Sequence, residues 1–150
     1  MRISNKKTAS KYKRIFFLVS IVITLITLAL FLLDLTIFGL AGVGIFSLWY
    51  LYFHVADYQF IEYNDENEKV VLRYYKIISF GSKSYHSIEF PQDIIQNAHF
   101  EDSVFGKLSD LTFLVRTQRG IAEYPSVSLS ALPFDDRKRV QESLYQILQR

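Results

Sequence analysis

The stretch IFFLVSIVITLITLALFLLDLTIFGLAGVGIFSLWYLYFHV, residues 15–55, decides the architecture of this chain. It consists of two uncharged apolar runs, residues 15–33 and 35–55, which are separated only by Asp34. As helices, the runs would extend about 28 and 31 Å, which matches the roughly 30 Å hydrocarbon core of a bilayer. The pattern therefore predicts a transmembrane helical hairpin that turns at Asp34.

The residues before the hairpin are basic, and this asymmetry predicts its orientation. Residues 1–14 hold six cations and no acidic residue, whereas the connection at Asp34 holds no cation. Because flanking cations stay on the cytoplasmic side, we expect residues 1–14 to be a disordered cytoplasmic tail that an anionic leaflet attracts. The side chains expected at this membrane surface are Lys6, Lys7, Lys11, Lys13, Arg14, Trp49 and Tyr50.

Small and hydroxyl-bearing residues recur along both predicted spans. Such residues let helix backbones approach closely and hydrogen-bond across the contact. We therefore expect the two helices to pack through Ser20, Thr24, Thr27, Gly39, Gly42 and Gly44. A cleaved signal peptide is disfavoured, because the first run exceeds the ~7–15 residues of a signal core and a second run follows it at once.

Residues 56–150 read as one small cytoplasmic domain of α+β class. Alternation of apolar and polar residues predicts strands over 58–64, 69–77, 85–90, 94–101, 111–117 and 121–129, with a break at Gly81-Ser82. Pro125 lies inside the last of these, so that strand should be an edge strand or bulged. An apolar stripe at helical spacing predicts a C-terminal helix over 133–149. About six antiparallel strands capped by one helix is the expected fold.

The residue inventory gives little support for catalysis or for nucleic-acid binding. The chain has no cysteine, which excludes disulfides and thiolate metal sites. His54, His86 and His99 have no partner at metal-ligand spacing. The domain has eleven Lys and Arg residues against fourteen Asp and Glu, a net charge of −3, so the basic character belongs to the N-terminal segment. We expect no enzyme activity, no cofactor, no metal and no nucleic-acid partner.

The layout resembles that of bacterial pleckstrin-homology-like (PH-like) domains tethered to a pair of transmembrane helices. The resemblance covers residues 12–150 and rests on three stretches, which are residues 73–76 (RYYK), 87–91 (SIEFP) and 120–132 (GIAEYPSVSLSAL). It implies a seven-strand barrel with a C-terminal helix, one strand more than the alternation predicts, and a bacterial inner membrane. The acidic turn at residues 65–68 would repel phosphates, so a phosphoinositide ligand is disfavoured.

Two functions are consistent with this pattern. The first is a membrane-anchored, non-catalytic binding or scaffold module that presents its domain at the cytoplasmic face. It would contact a protein strand at the 121–129 edge, a second copy of itself, or lipid headgroups. The second is a small accessory subunit of a larger membrane complex, which would act through its transmembrane helices. The sequence leaves the ligand and the oligomeric state open.

Overall fold

The computed structural model describes residues 1–79 and 84–150 as two long helices attached to a β-rich domain with a C-terminal helix. The first helix, α1, spans Lys6–Leu32, and the second, α2, spans Thr36–Ala56. Both are long and apolar enough to cross a membrane. Asp34 lies between them with a φ of 58°, a conformation that Asp tolerates better than most residues. The predicted turn is confirmed.

The predicted disorder of residues 1–14 is wrong. A short strand, β1 (Arg2–Ser4), pairs antiparallel with β2 (Gln59–Asn64), the strand that follows α2. Helix α1 then begins at Lys6, nine residues before the apolar run that predicted it. Ile3 is buried in the core of the domain, and this burial offsets the entropy cost of ordering the segment.

The strands form two antiparallel sheets. Sheet A has the order β1-β2-β3-β4, where β3 is Lys69–Lys76 and β4 is His86–Pro91. Sheet B has the order β5-β6-β7, and β8 also pairs with β6; its strands are β5 (Ile95–Ser103), β6 (Leu108–Thr117), β7 (Gly120–Glu123) and β8 (Val127–Ser128). The described strands thus form two hydrogen-bonded sheets rather than one closed barrel. The predicted break at Gly81-Ser82 lies outside the described residues.

Eight strands are described where the alternation predicts six. One addition is β1, and the other arises because the predicted strand over 121–129 is divided into β7 and β8 around Pro125. Proline has no N–H to donate to a ladder, and β6 is the neighbour of both parts in the described sheet. The expectation of an edge or bulged strand is confirmed. A register shift between Ile95 and Asn97 interrupts the pairing of β5 with β6.

Helix α3 (Phe134–Leu148) closes the domain. Its apolar residues Val140 and Leu144 are fully buried in a core built from both sheets, and Phe90 of sheet A meets Phe113 of sheet B at 5.9 Å between ring centroids. The antiparallel strands followed by a C-terminal helix agree with the predicted α+β class.

The register of sheet A gives the domain two distinct ends. At the proximal end, β1 runs into α1 and α2 runs into β2, so both long helices leave from this side. At the distal end lies the β2–β3 turn, residues 65–68, beside Pro91 at the end of β4. Helix α3 runs from proximal to distal: Ala131, just before it, clusters with Ala9 of α1, while Ser143 reaches Asp65 at the distal turn.

Candidate functional site

Asn5 joins α1 to sheet A at the proximal end. Its side chain is buried, with 2% exposure. Its Nδ2 donates to the Gln59 carbonyl at 2.9 Å, and the Ile61 N–H donates to its Oδ1 at 2.8 Å. The Asn5 N–H also donates to the Ile61 carbonyl at 3.2 Å. The amide therefore continues the β1–β2 ladder for one more residue, and α1 leaves the sheet without an intervening linker.

An aromatic cluster lies next to this junction, where α1 and α2 approach the sheet. Tyr12 of α1 stacks on Tyr58 with ring centroids 4.4 Å apart, and Phe16 of α1 packs on Phe53 of α2 at 5.1 Å. Ala9, Tyr12 and Phe16 are spaced i, i+3 and i+7, which places them on one side of α1. This spacing was the sequence signal that α1 begins before residue 15, and the prediction of a disordered tail missed it.

Burial and hydrogen bonding favour the neutral form of Tyr58 in this cluster. The hydroxyls of Tyr52 and Tyr58 lie 3.0 Å apart. Burial, followed by this hydrogen bond, raises the pKa of Tyr58 well above its ordinary value. A neutral phenol costs little to place next to an apolar phase while its oxygen stays hydrogen-bonded. The cluster is therefore a suitable boundary between the apolar helices and the polar end of the sheet.

The two helices contact each other through part of the predicted set. A Cβ added to Gly39 would approach the Phe31 ring to 2.8 Å, and one added to Gly42 would collide with the Thr27 hydroxyl. Ser20 accepts a hydrogen bond of 3.3 Å from Trp49 Nε1 across the contact. Close backbone approach at these glycines explains why larger side chains are absent there.

One residue expected in the helix contact lies outside it, and another forms its hydrogen bond within its own helix. Gly44 has nothing within 4 Å of an added Cβ, because residues two apart on a helix point to nearly opposite sides. Thr24 is exposed and donates to the Ser20 carbonyl of its own helix at 2.8 Å. Gly44 corrects the expectation that every small or hydroxyl-bearing residue marks the same face.

The expected membrane-surface residues lie near the aromatic cluster. Cations are exposed on the first turns of α1; they are Lys6, Lys7, Lys11, Lys13 and Arg14. Tyr50 is exposed and stacks on His54. Trp49 differs from the expectation, since it is half-buried and its N–H donates a hydrogen bond to Ser20 of α1.

A cleft of about 250 Å³ opens at the junction, between the aromatic cluster and Lys76. Its charged lining consists of Asp57 and Lys76, whose Oδ1 and Nζ lie 3.9 Å apart. The volume is below the range typical of small-molecule sites, about 300–1,000 Å³. The cleft alone does not indicate a ligand.

A polar network closes the distal end. Ser143 Oγ donates to Asp65 Oδ2, and because its proton is used there, Tyr63 donates to Ser143 at 2.9 Å. The Met1 amine pairs with Asp65 as well. Burial would raise the pKa of the Asp65 carboxyl, but hydrogen bonds from the amine and Ser143 outweigh it and hold the pKa below its ordinary value. Burial also raises the pKa of Tyr63 to about 12.

In the described part of the chain, the Ser143 hydroxyl of this network is not paired with a histidine. The Ser143 hydroxyl donates to a carboxylate, with no histidine between them to act as a base. Among residues 1–79 and 84–150, no group of three or more His, Cys, Asp or Glu side chains could hold a metal ion. His86 stacks on Tyr74 at 5.2 Å between ring centroids, and His99 is exposed on β5.

Sequence reasoning missed an apolar group on the proximal side. Val104, Phe105 and Phe134 are exposed, and Arg137 connects them by donating to the Gly106 carbonyl at 3.0 Å while its guanidinium lies 5.9 Å from the Phe134 ring centre. Two adjacent apolar residues inside a turn were the available signal.

Comparisons with protein-family models, with curated proteins and with solved structures give no match to this chain. The resemblance to PH-like domains therefore stays a prediction. The case for a function rests on how the long helices are attached to the β domain.

Proposed function

We propose that this chain is a membrane-anchored, non-catalytic binding or scaffold module, whose helical hairpin presents a PH-like domain at the cytoplasmic face of the membrane. The observation that carries this proposal is the pairing of β1 with β2. These strands lie on either side of the hairpin in the chain, yet they are neighbours in one sheet. The domain is therefore held at a fixed distance and orientation from the anchor.

The exposure of the helices supports a lipid environment. Only 6% of the most apolar window of α1 and 11% of that of α2 are buried, whereas the core helix of a water-soluble protein is mostly buried. Two long helices that expose most of their apolar side chains are unfavourable in water, and such a surface marks an interaction with a membrane or a protein. The Lys and Arg side chains on the first turns of α1 support a cytoplasmic location for the domain.

The free edge of sheet B supports binding of a protein segment. Within the described part of the chain β7 pairs on one side only, and Ile121 on it is exposed. An added strand would gain backbone hydrogen bonds along such an edge. Tethering to the same membrane as the partner raises the effective concentration of the domain. The acidic turn at 65–68 lies at the distal end, which supports a partner other than phosphoinositides.

Topology can be tested with single cysteines, because the natural chain has none. We expect D34C to react with a membrane-impermeant maleimide on intact cells and N67C to react only after permeabilisation. The opposite pattern would place the domain outside the cell. Extraction of the protein by alkaline carbonate would remove the anchor from the proposal altogether.

The alternative, an accessory subunit acting through its helices, is favoured by one observation. Gly44 faces open space on the outer side of α2, where a third helix could approach closely. A photoreactive residue at Ile121 or at Gly44, each in the full-length chain in native membranes, separates the two functions. Adducts from position 121 alone support the binding module, and adducts from position 44 alone support the accessory subunit.

A further inference from the structure

The turn between β5 and β6 carries apolar residues in an unfavourable backbone conformation. Val104 and Phe105 have φ of 52° and 56°, and Gly106 follows with φ of 78°. The Lys107 N–H closes the turn by donating to the Val104 carbonyl at 3.2 Å. Positive φ is rare for bulky residues and especially so for β-branched ones. Phe105 is also fully exposed, at 104%.

The equivalent turn at the distal end shows that the geometry does not require apolar side chains. Asn67 and Glu68 have φ of 58° and 57°, and the Lys69 N–H closes that turn on the Glu66 carbonyl at 3.3 Å. Asn is a residue that favours this conformation. Val104 and Phe105 are therefore poor choices for their turn, and their side chains need another explanation.

The β5–β6 turn points towards the end from which the long helices leave. Strand β5 runs antiparallel to α3, since Phe100 meets Tyr145 at 6.5 Å between ring centroids and Gly106 accepts from Arg137. The start of β5 and the last turn of α3 together line a groove at the distal end. The far end of the hairpin, with Phe105 at its tip, is thus proximal.

The tip and the start of the first apolar run lie on the same side of the domain. Ala9 clusters with Ala131, and the neighbouring Ser130 accepts a hydrogen bond from the Ser109 N–H at 3.2 Å. From Ala9 to Ile15, α1 advances about 9 Å. From Ser109, one strand step of about 3 Å leads to Leu108 and then to the turn that carries Phe105. Both α1 and the tip therefore extend to the proximal side of the level at which Ala9 meets Ala131.

We propose that Val104 and Phe105, together with the adjacent Phe134, insert into the headgroup region of the leaflet that anchors the chain. This inference rests on the proposed membrane anchoring. The contact would be apolar rather than electrostatic, because the charged side chains around the tip are three acids and two bases, which together give no attraction to an anionic leaflet; they are Asp102, Lys107, Asp135, Asp136 and Arg137. It would give the domain a third point of attachment and fix the tilt of sheet B over the membrane.

The test uses the full-length chain in vesicles of neutral phosphatidylcholine, with an environment-sensitive fluorophore on single cysteines and a nitroxide on the lipid headgroup or acyl chain. S103C reports on the tip without altering it, L25C reports on the hairpin, and N67C reports on the distal turn. We expect acyl-chain nitroxide to quench L25C and headgroup nitroxide to quench S103C by at least about twofold, and neither to quench N67C.

The matched control is V104N/F105N in the S103C background. Asn suits positive φ, so the turn should stay folded while headgroup quenching of S103C is lost. Quenching of L25C without quenching of S103C would overturn the inference and leave the anchor intact. Quenching of S103C that persists in V104N/F105N would overturn it too, since the apolar side chains would then be irrelevant. An unquenched L25C would remove the proposed anchor and this inference together.

Discussion

The two ends of the β domain are closed by different chemistry. At the proximal end, a buried amide and stacked aromatic rings join the sheet to the helices. At the distal end, a carboxylate, a serine hydroxyl and the Met1 amine close the sheet with charged hydrogen bonds. The sheet is thus joined by neutral side chains at one end and by charged groups at the other, as expected if one faces the membrane and the other faces water.

The pKa values of two carboxylates, one near each end, are shifted in opposite directions. Asp65 at the distal end has a lowered pKa, because its hydrogen bonds and the Met1 amine outweigh burial. Asp110 on β6 has a raised pKa, caused first by burial and then by the charges of Asp57 and Glu101. Asp57 follows directly after α2, so Asp110 is near the proximal end. The ionised form of the carboxylate is therefore stabilised at Asp65 and penalised at Asp110.

The largest effect is expected from breaking the proximal junction with Asn5→Leu. This change leaves the Ile61 N–H and the Gln59 carbonyl buried without their partner, which should reduce the free energy of unfolding by about 3–5 kcal/mol. Urea unfolding in detergent micelles, followed by near-ultraviolet circular dichroism of the tyrosines, measures it. Asn5→Asp keeps the acceptor for the Ile61 N–H but sets a second acceptor against the Gln59 carbonyl, so it should also be destabilising, and Ser4→Ala on the exposed side of β1 is the control. Equal stability of all three variants would show that the junction does not hold the domain.

The next effect tests whether the close contact continues down the hairpin. Gly42→Val forces a side chain into Thr27 and should destabilise the hairpin by about 1–3 kcal/mol. Gly44→Val projects into open space and should have little effect. Thermal unfolding in micelles, monitored by helical circular dichroism, compares the two. The geometry would be contradicted if Gly44→Val were the more damaging change.

At the distal end, Ser143→Ala should have a smaller effect of about 1–2 kcal/mol, since it leaves the buried Tyr63 hydroxyl without an acceptor. Hydrogen exchange of the β2 and β3 amides would detect the loss locally. Ser87→Ala, at an exposed position on β4, is the matched control. Unchanged exchange would mean that water replaces the Ser143 hydroxyl and that this end tolerates solvent.

The sequence predicted those parts of the fold whose signals are local. Hydropathy identified both long helices, period-two alternation located most strands, and Pro125 marked the broken edge strand. The apolar stripe through Val140 and Leu144 identified α3. Each of these features depends on residues within about one element length of one another.

The junction that carries the proposed function depends on distant residues. Strand β1 has three residues, too few to show a period, and its partner lies about sixty positions away. Nothing near Asn5 in the sequence indicates that its amide meets Ile61. Similarly, Val104 and Phe105 read as ordinary turn positions until the direction of β5 along α3 is known. The local conflict between residue type and backbone conformation was invisible without φ angles.

The smallest effect sharpens the comparison of the two ends through pH. Because the folded pKa of Asp65 is lowered, its ionised form stabilises the domain above its ordinary pKa, and that contribution is lost as the pH falls through the folded value. Asp110 has the opposite sign: its raised folded pKa penalises the native state near neutral pH, and protonation relieves this on acidification. Asp110→Asn should therefore stabilise the domain at neutral pH, and Asp65→Asn should destabilise it.

Urea unfolding from about pH 6 to about pH 3 measures how the free energy of unfolding of each variant changes with pH. Stability should fall less steeply than in the natural chain for Asp65→Asn and more steeply for Asp110→Asn. Parallel slopes for the two variants would mean that the ends do not differ in how they treat charge. If Asp110→Asn also strengthened headgroup quenching at Ser103, the proximal carboxylate would be opposing contact of the β5–β6 turn with the leaflet, because removing its charge lowers the cost of approaching an apolar phase.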